Sequence, residues 1–293
     1  MDAVITYVDG LDPCWRADYE KWVGKSILQK RFRDWGTLRY LLRGIEECMP
    51  FVSNVHLVVA RESQIPAWAD RDNLHIVLHS DFVPEEYLPT FNCNPLEMYL
   101  HRIPGLSDEF IYFNDDFFPL MPCSADDFFQ DGKAVMKPSR CLFSPDMYKK
   151  LVKRSDRLAR KAAGSDASIT FLRPQHTCAP MLKESCDELF SLVEKDIIPT
   201  LTRVRDASNL NQYLYSDYMY LKGRTITRKL SNKHFSLAAA SVENICDFIE
   251  HPTRKIACIN DVQMSDEKFQ TIRKKLLASF EKRFPSRSRF ERP

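Results

Sequence analysis

Apolar residues along the first 120 positions fall in short runs. Ala3-Val4-Ile5-Thr6-Tyr7-Val8, Val55-His56-Leu57-Val58-Val59-Ala60 and the runs over 74–78 and 110–114 are each five or six residues long. Such runs fit strands of a sheet buried on both faces. Between the first two the period changes: Leu38, Leu41, Leu42 and Ile45 recur at i, i+3, i+4 and i+7, predicting an amphipathic helix over 35–48. This alternation predicts an α/β fold with a mostly parallel sheet flanked by helices. Beyond residue 140 the pattern becomes helical. Ser144-Pro145-Asp146 reads as an N-cap with proline at N1, opening a helix over 145–163. Further helices are expected over 180–196, 208–222 and 241–250, then a strand over 255–259. In a last helix over 266–284, Phe269, Ile272, Leu276, Leu277, Phe280 and Phe284 share one stripe, Ser265 caps it, and Asp266 and Glu267 suit its first turn. The change near 140 separates an α/β portion (1–140) from a helix-rich portion (141–293), read together as one compact domain.

Of 293 residues, 44% are hydrophobic and 12% aromatic, enough for a sizeable core. With 42 basic and 40 acidic residues the net charge is +2, which carries no global nucleic-acid signature. Nine cysteines form an odd set without a CxxC pair, arguing against a disulfide framework or structural zinc and for a reducing cytoplasm. Cys258, inside Ile-Ala-Cys-Ile, reads as a small buried thiol. The opening run lacks a basic region before it and is read as a strand rather than a signal peptide. No apolar run approaches the roughly 20 residues that span a bilayer, so any membrane association is expected to be peripheral.

The strongest local pattern is Phe110-Ile111-Tyr112-Phe113-Asn114-Asp115-Asp116, an apolar strand running straight into acid. Open α/β sheets bind ligands at strand carboxyl ends, and paired carboxylates there suit a divalent cation on a diphosphate. A solvated acidic turn accounts for the pair about equally well. Strand ends at Asp9, Asp115/Asp116 and Asp261 all present acid, which raises the odds that some converge on one cleft. Asn94-Pro95 reads as an N-cap and N1 pair, placing Glu97 and His101 at i and i+4 on one helix face with Arg102 beside them. Arg31, Arg33, Arg39 and Arg43 surround a helix start at which Asp34 is a cap, and Arg39 with Arg43 has the spacing to clamp phosphates. Taken alone, an ordinary solvated helix face is the favoured reading of either segment. Lys149–Lys161 carries seven basic residues and one acid, and the C-terminal segment adds Arg273, Lys274, Lys275, Lys282, Arg283, Arg287, Arg289 and Arg292. Solvated faces are the favoured reading; peripheral contact with an anionic membrane or a polyanionic product is the functional one.

Taken in order, these segments resemble the Stealth family of hexose-1-phosphate transferases. Asp2–Pro13 resembles its first block. Arg31–Glu46, continued by Leu88–Arg102, Gly105-Leu106-Ser107 and Phe110–Asp116, resembles the long second block. Pro174-Gln175-His176 through Glu188-Leu189, with Val204-Arg205, is similar to the third, and Cys258–Asp261 with Phe284–Glu291 to the fourth. Tyr7 stands where the family usually has Trp and Trp35 where it usually has Asn, and Pro180 is spaced differently from many members. The large insertions of the animal members are absent, as in a minimal core of bacterial type.

The resemblance implies a Rossmann-like (GT-A-like) nucleotide-sugar portion over 1–140, a helix-rich portion over 141–293 completing the active site, and a UDP-sugar donor. It places the family's essential residues on Glu97, Asp116, His176 and Arg205, with Asp2 a further required acid. Substrate contacts are then expected from Asp2, Asp9, Arg31, Asp34 and Arg39, and from Arg43, Asn94, His101, Arg102 and Asn114. Asp115, Asp116 and Asp261 are expected to hold Mg²⁺ or Mn²⁺. The implied reaction moves a sugar-1-phosphate to a hydroxyl of a saccharide or phosphosaccharide acceptor, with UMP leaving. His176 or Glu97 takes the acceptor proton, and the residues do not choose between them. An ordinary glycosyltransferase releasing UDP shares the same local chemistry, and a decayed, non-catalytic fold is disfavoured by the intact Glu97, Asp116, His176 and Arg205. The expected location is the cytoplasm, with peripheral contact at the inner face of the membrane.

Overall fold

The computed structural model describes residues 1–24, 27 and 29–293. The first portion runs β1 (Asp2–Thr6), α1 (Pro13–Val23), α2 (Leu38–Cys48), β2 (Asn54–Val59), β3 (His75–Leu78), α3 (Cys93–Tyr99), β4 (Glu109–Asn114) and β5 (Phe117–Pro119). Short strands β6 (Phe129–Gln130), β7 (Lys133–Met136) and β8 (Ser139–Cys141) lead to α4 (Met147–Ala163), β9 (Phe171–Arg173), β10 (Ala179–Leu182) and α5 (Lys183–Ile197). The chain ends through α6 (Tyr213–Leu221), β11 (Thr225–Thr227), β12 (Asn232–Ser236), α7 (Val242–Glu250), β13 (Ile256–Asn260) and α8 (Asp266–Arg283).

The central sheet has the order β10-β4-β1-β2-β3. The expected mostly parallel α/β sheet is what forms: β1 pairs in parallel with β2 and β4, β2 with β3, and only β10 runs antiparallel. Thr6 lies opposite both Val58 and Asn114, so the carboxyl ends of β1, β2 and β4 are level along one edge. A smaller sheet, β12-β13-β5, stands beside that edge. Helix α2 approaches it so closely that a Cβ on Gly44 would lie 2.5 Å from the Pro119 carbonyl oxygen.

Several boundaries differ from expectation for identifiable reasons. Helix α2 begins at Leu38, not 35: Asp34 accepts from Gly36 N at 2.8 Å, and Gly36 has φ +72°, which no right-handed helix includes. Asp34 therefore closes a turn instead of capping the helix. Helix α4 is capped by Asp146, which accepts from Lys149 N at 2.8 Å, leaving Ser144 and Pro145 outside. Residues 180–182, expected to open a helix over 180–196, belong instead to edge strand β10 (Ala179–Leu182), where Pro180 is tolerated. Helix α1 was not expected, although Asp12, Pro13 and Gly24 supply its N-cap, N1 proline and left-handed C-cap. Ser265 caps α8 as expected.

Arg43 was expected as a phosphate ligand, and the structure makes it a tie within the fold. Its Nε and Nη2 donate to the two Glu291 oxygens at 2.7 and 2.9 Å, and Nη1 donates to the Phe284 carbonyl at 2.7 Å. Both side chains are buried, so removing one leaves the other charge unpaired. Arg43→Ala should lower unfolding free energy by roughly 3–5 kcal/mol. Urea denaturation checks this, and a loss below about 1 kcal/mol would show that Glu291 finds another partner.

Candidate active site

A cleft of about 1170 Å³ opens at the carboxyl ends of β1 and β4 and is completed by the ends of β9 and β13. Asp115 and Asp116 sit in the turn between β4 and β5, and Asp261 follows β13. The Asp116 carbonyl accepts from Ile259 N at 3.0 Å, which fastens the two strand ends together. Asp116 Oδ2 accepts from the Cys258 thiol at 3.6 Å, while Oδ1 is buried without a partner. Asp261 Oδ1 accepts from Val262 N at 2.6 Å and faces Arg33 Nη1 at 3.6 Å, and its Oδ2 is likewise buried without a partner.

These carboxyls resist ionising together. Burial, then the charges of Asp116, Asp34 and Asp261, pushes Asp115 up to about 8. Burial pushes Asp116 up to about 6. Asp34 and Asp261 are also raised, chiefly by burial. Mutually repelling carboxyls with two buried oxygens lacking donors could take a divalent, oxygen-liking cation; among the described residues, however, the side chains whose ligand atoms already converge within 4.8 Å are His176, His234 and Cys258, not the expected Asp115, Asp116 and Asp261. Such a cation must displace protons from Asp115 and Asp116. Mg²⁺ affinity should therefore tighten as pH rises from about 6 to about 8, by up to about tenfold per pH unit for each proton displaced. Titration calorimetry at several pH values measures this, and a pH-independent affinity would remove these carboxyls from the metal role.

Arg205 and Arg31 also line the cleft. Arg205 donates to Cys93 Sγ, and its charge is favoured chiefly by Cys93 and, after opposing burial, by Glu97. Burial, then the adjacent Arg205 charge, lowers Arg31. Among the described residues neither arginine has a carboxylate within 4.0 Å. Two neighbouring guanidiniums that, among the described residues, touch no carboxylate form a ready anion site.

Glu97 is buried, and its Oε2 accepts from Gln212 N at 2.8 Å. Its Oε1 lies 3.5 Å from Tyr112 Oη, and burial raises its pKa. Asn94 also faces the cleft with a buried, unpartnered Oδ1; the helix cap is Asn92, which accepts from Asn94 N at 3.2 Å. Asn114 accepts from Tyr112 Oη at 2.8 Å. His176 Nδ1 lies 3.3 Å from Tyr213 Oη, itself 2.9 Å from Tyr148 Oη. Burial, with the charges of His234 and Arg173, lowers His176 to about 4, so the ring is neutral near pH 7.

Of the residues expected at the site, Arg31, Asp34, Asn94, Glu97, Asn114, Asp115, Asp116, His176, Arg205 and Asp261 all line this cleft. The others do not. Asp2 is at the amino end of β1, where it accepts from Ser107 N (2.9 Å) and Asn54 Nδ2 (3.0 Å) and pairs with His56 Nε2 (3.1 Å). Asp9 shapes the turn after β1 through Gln64 and Leu11 N. Arg39 lies over the Trp68 ring. Helix α3 ends at Tyr99, so the i, i+4 relation of Glu97 and His101 fails: His101 turns towards Tyr215 and Asp187, and Arg102 stacks over Phe190. Residues missed in the sequence include Cys93, Gln212, Tyr213, His234 and Cys258, none of which has informative local spacing.

The basic stretch lies on α4, whose Asp156 binds Arg160 and Leu172 N. Several C-terminal cations are paired: Lys275 with Glu243, Lys282 with Glu250, and Arg283 with Glu47. Among the described residues, no helix is long and apolar enough to cross a membrane.

Fold and cleft define an α/β protein that gathers carboxyls, arginines and a neutral imidazole at its strand ends. A family model, Stealth protein CR2, conserved region 2, matches residues 31–136. The capsular polysaccharide phosphotransferase WcwK of Streptococcus pneumoniae is 28% identical, covering 99% of each chain. The receptor polysaccharide phosphotransferase WefC of Streptococcus oralis is 39% identical over 50% of this chain and 47% of its own. The chain belongs to the Stealth family. Among solved structures, the galactosyltransferase LgtC with donor and acceptor sugar analogues aligns at TM-score 0.44 and 11% identity, covering 94% of this chain and 96% of that one.

Proposed function

We propose that the chain transfers a sugar-1-phosphate from a UDP-sugar to a hydroxyl of a saccharide acceptor, releasing UMP and leaving a phosphodiester, in capsular polysaccharide synthesis. The observation that carries this reading is the meeting of Asp115, Asp116 and Asp261 with Arg31, Arg205 and His176 in one cleft. The relatives' phosphotransferase names support the reaction class.

Phosphoryl transfer demands position and charge neutralisation more than covalent help. Arg31 and Arg205 bind the donor's non-bridging oxygens and the charge that grows on them. Glu97 is occupied by Gln212 N and helps to hold Arg205, a positioning role. With Nδ1 turned to Tyr213, His176 keeps Nε2 free to accept the acceptor's proton. The acceptor oxygen then bonds to the sugar-bearing phosphorus as the bond to UMP breaks, and the sugar's C–O bond is untouched. Bound Mg²⁺ or Mn²⁺ supplies charge neutralisation at the diphosphate.

The test supplies purified protein with Mg²⁺, a panel of UDP-sugars and capsule-type oligosaccharides, and resolves UMP from UDP. UMP with a phosphodiester product is expected. UDP with a glycoside product would make the protein an ordinary glycosyltransferase.

A further inference from the structure

We propose that the cleft contains a second and softer cation site, built by His176, His234 and Cys258 with Asp116 as fourth ligand, and that Zn²⁺ bound there blocks turnover. The inhibitory half rests on the function proposed above; the binding half does not.

Topology makes the site. Strands β12 and β13 run in parallel with His234 opposite Cys258, and β13 pairs with β5 so that Cys258 lies opposite Phe117, the residue after Asp116. The His176 ring packs edge-on against Phe117 at 5.3 Å between centroids and lies 5.4 Å from His234. One ligand atom from each of His176, His234 and Cys258 falls within 4.8 Å of the others, and Asp116 Oδ2 is 3.6 Å from the Cys258 sulfur. In a tetrahedral zinc centre, bond lengths of about 2.0–2.3 Å put ligand atoms roughly 3.3–3.8 Å apart. Closure of those three therefore needs side-chain movement of about an ångström, which exposed His234 has the freedom to make, and Asp116, outside that convergent set, must swing further in from its contact with Cys258 to complete the site.

The donor set names the cation. Two imidazoles, a thiolate and a carboxylate suit zinc, whereas Mg²⁺ and Mn²⁺ prefer oxygen. The Tyr213–Tyr148 pair anchors His176 Nδ1 and fixes the ring as outer partners fix a ligating imidazole. Asp116 joins the two sites, since one oxygen faces Cys258 and the other is buried without a partner. On binding, the Cys258 thiol proton passes to solvent. Occupancy takes the His176 Nε2 lone pair, so catalysis stops while the arginines still bind donor.

Metal-free protein titrated with Co²⁺, a spectroscopic stand-in for Zn²⁺, should show a thiolate-to-cobalt charge-transfer band saturating at one equivalent and lost in both Cys258→Ser and His234→Ala. In the Mg²⁺ assay, whatever turnover His234→Ala retains should need at least tenfold more Zn²⁺ for half-inhibition than that of the wild type. A band unchanged in both variants, or equal Zn²⁺ sensitivity in wild type and His234→Ala, would overturn the proposal. Because the band needs no substrate, the two readings fail separately: an inactive protein with the band keeps the cation site, and an active one without it loses that site.

Discussion

Asp116→Asn should lower turnover by about 10²–10³-fold and, in EDTA at neutral pH, raise the melting temperature. The two effects have one origin. The ordinary Asp value is 3.8, but burial and neighbouring charge hold Asp115 near 8 and burial holds Asp116 near 6. From pH 4 upwards the unfolded chain releases protons that the native chain keeps. Native stability therefore falls as pH rises towards those folded values. Asparagine removes one member of the repelling set, and each kcal/mol recovered is worth about 2 °C in a chain of this length. Scanning calorimetry in EDTA and then in Mg²⁺ reads both halves: the wild type gains stability from Mg²⁺, and the variant gains little. Wild-type turnover in the variant would end the metal assignment, and a lower melting temperature would end the repulsion argument.

How far the sequence reveals this fold depends on burial. Strands β1, β2 and β4 stand out because the sheet is covered on both faces, so Ala3-Val4-Ile5 and Phe110–Phe113 are unbroken apolar runs. Strand β10 is invisible locally: four residues with a proline, defined by pairing with β4 about seventy positions earlier. Helix α1 shows the opposite failure, since its punctuation was present and its weak apolar stripe, Trp15 and Tyr19, hid it. At the site, strand-end position picked out Asp115, Asp116 and Asp261. The Glu97, His176 and Arg205 assignments came from family resemblance, because the contacts that hold such residues are distant in sequence, as the 115 positions between Glu97 and Gln212 show. Side-chain direction is what the sequence withheld. Asp2 and Arg43 look like ligands on paper, yet each is consumed by a buried partner, His56 and Glu291.

His176→Ala should reduce kcat by about 10²–10⁴-fold, the usual yield of a positioned general base. The Michaelis constant for donor should stay within about threefold, because the variant removes an interaction made in the transition state. Glu97→Gln should behave differently. Its carboxylate already accepts from Gln212 N and supports Arg205, so the loss should appear in donor binding as well as in turnover. The pH profile separates them further. His176, lowered to about 4 by burial, is a neutral acceptor above that value, so at saturating Mg²⁺ it should impose no limb between pH 6 and 8. Turnover should fall only as the medium approaches pH 4 and the ring takes a proton from solvent. Added imidazole should restore part of the His176→Ala rate and none of the Glu97→Gln rate, since only the first leaves a vacancy shaped for the missing base. A His176→Ala enzyme with normal turnover, or the reverse pattern of rescue, would move the proton to Glu97 and leave the imidazole a purely structural part.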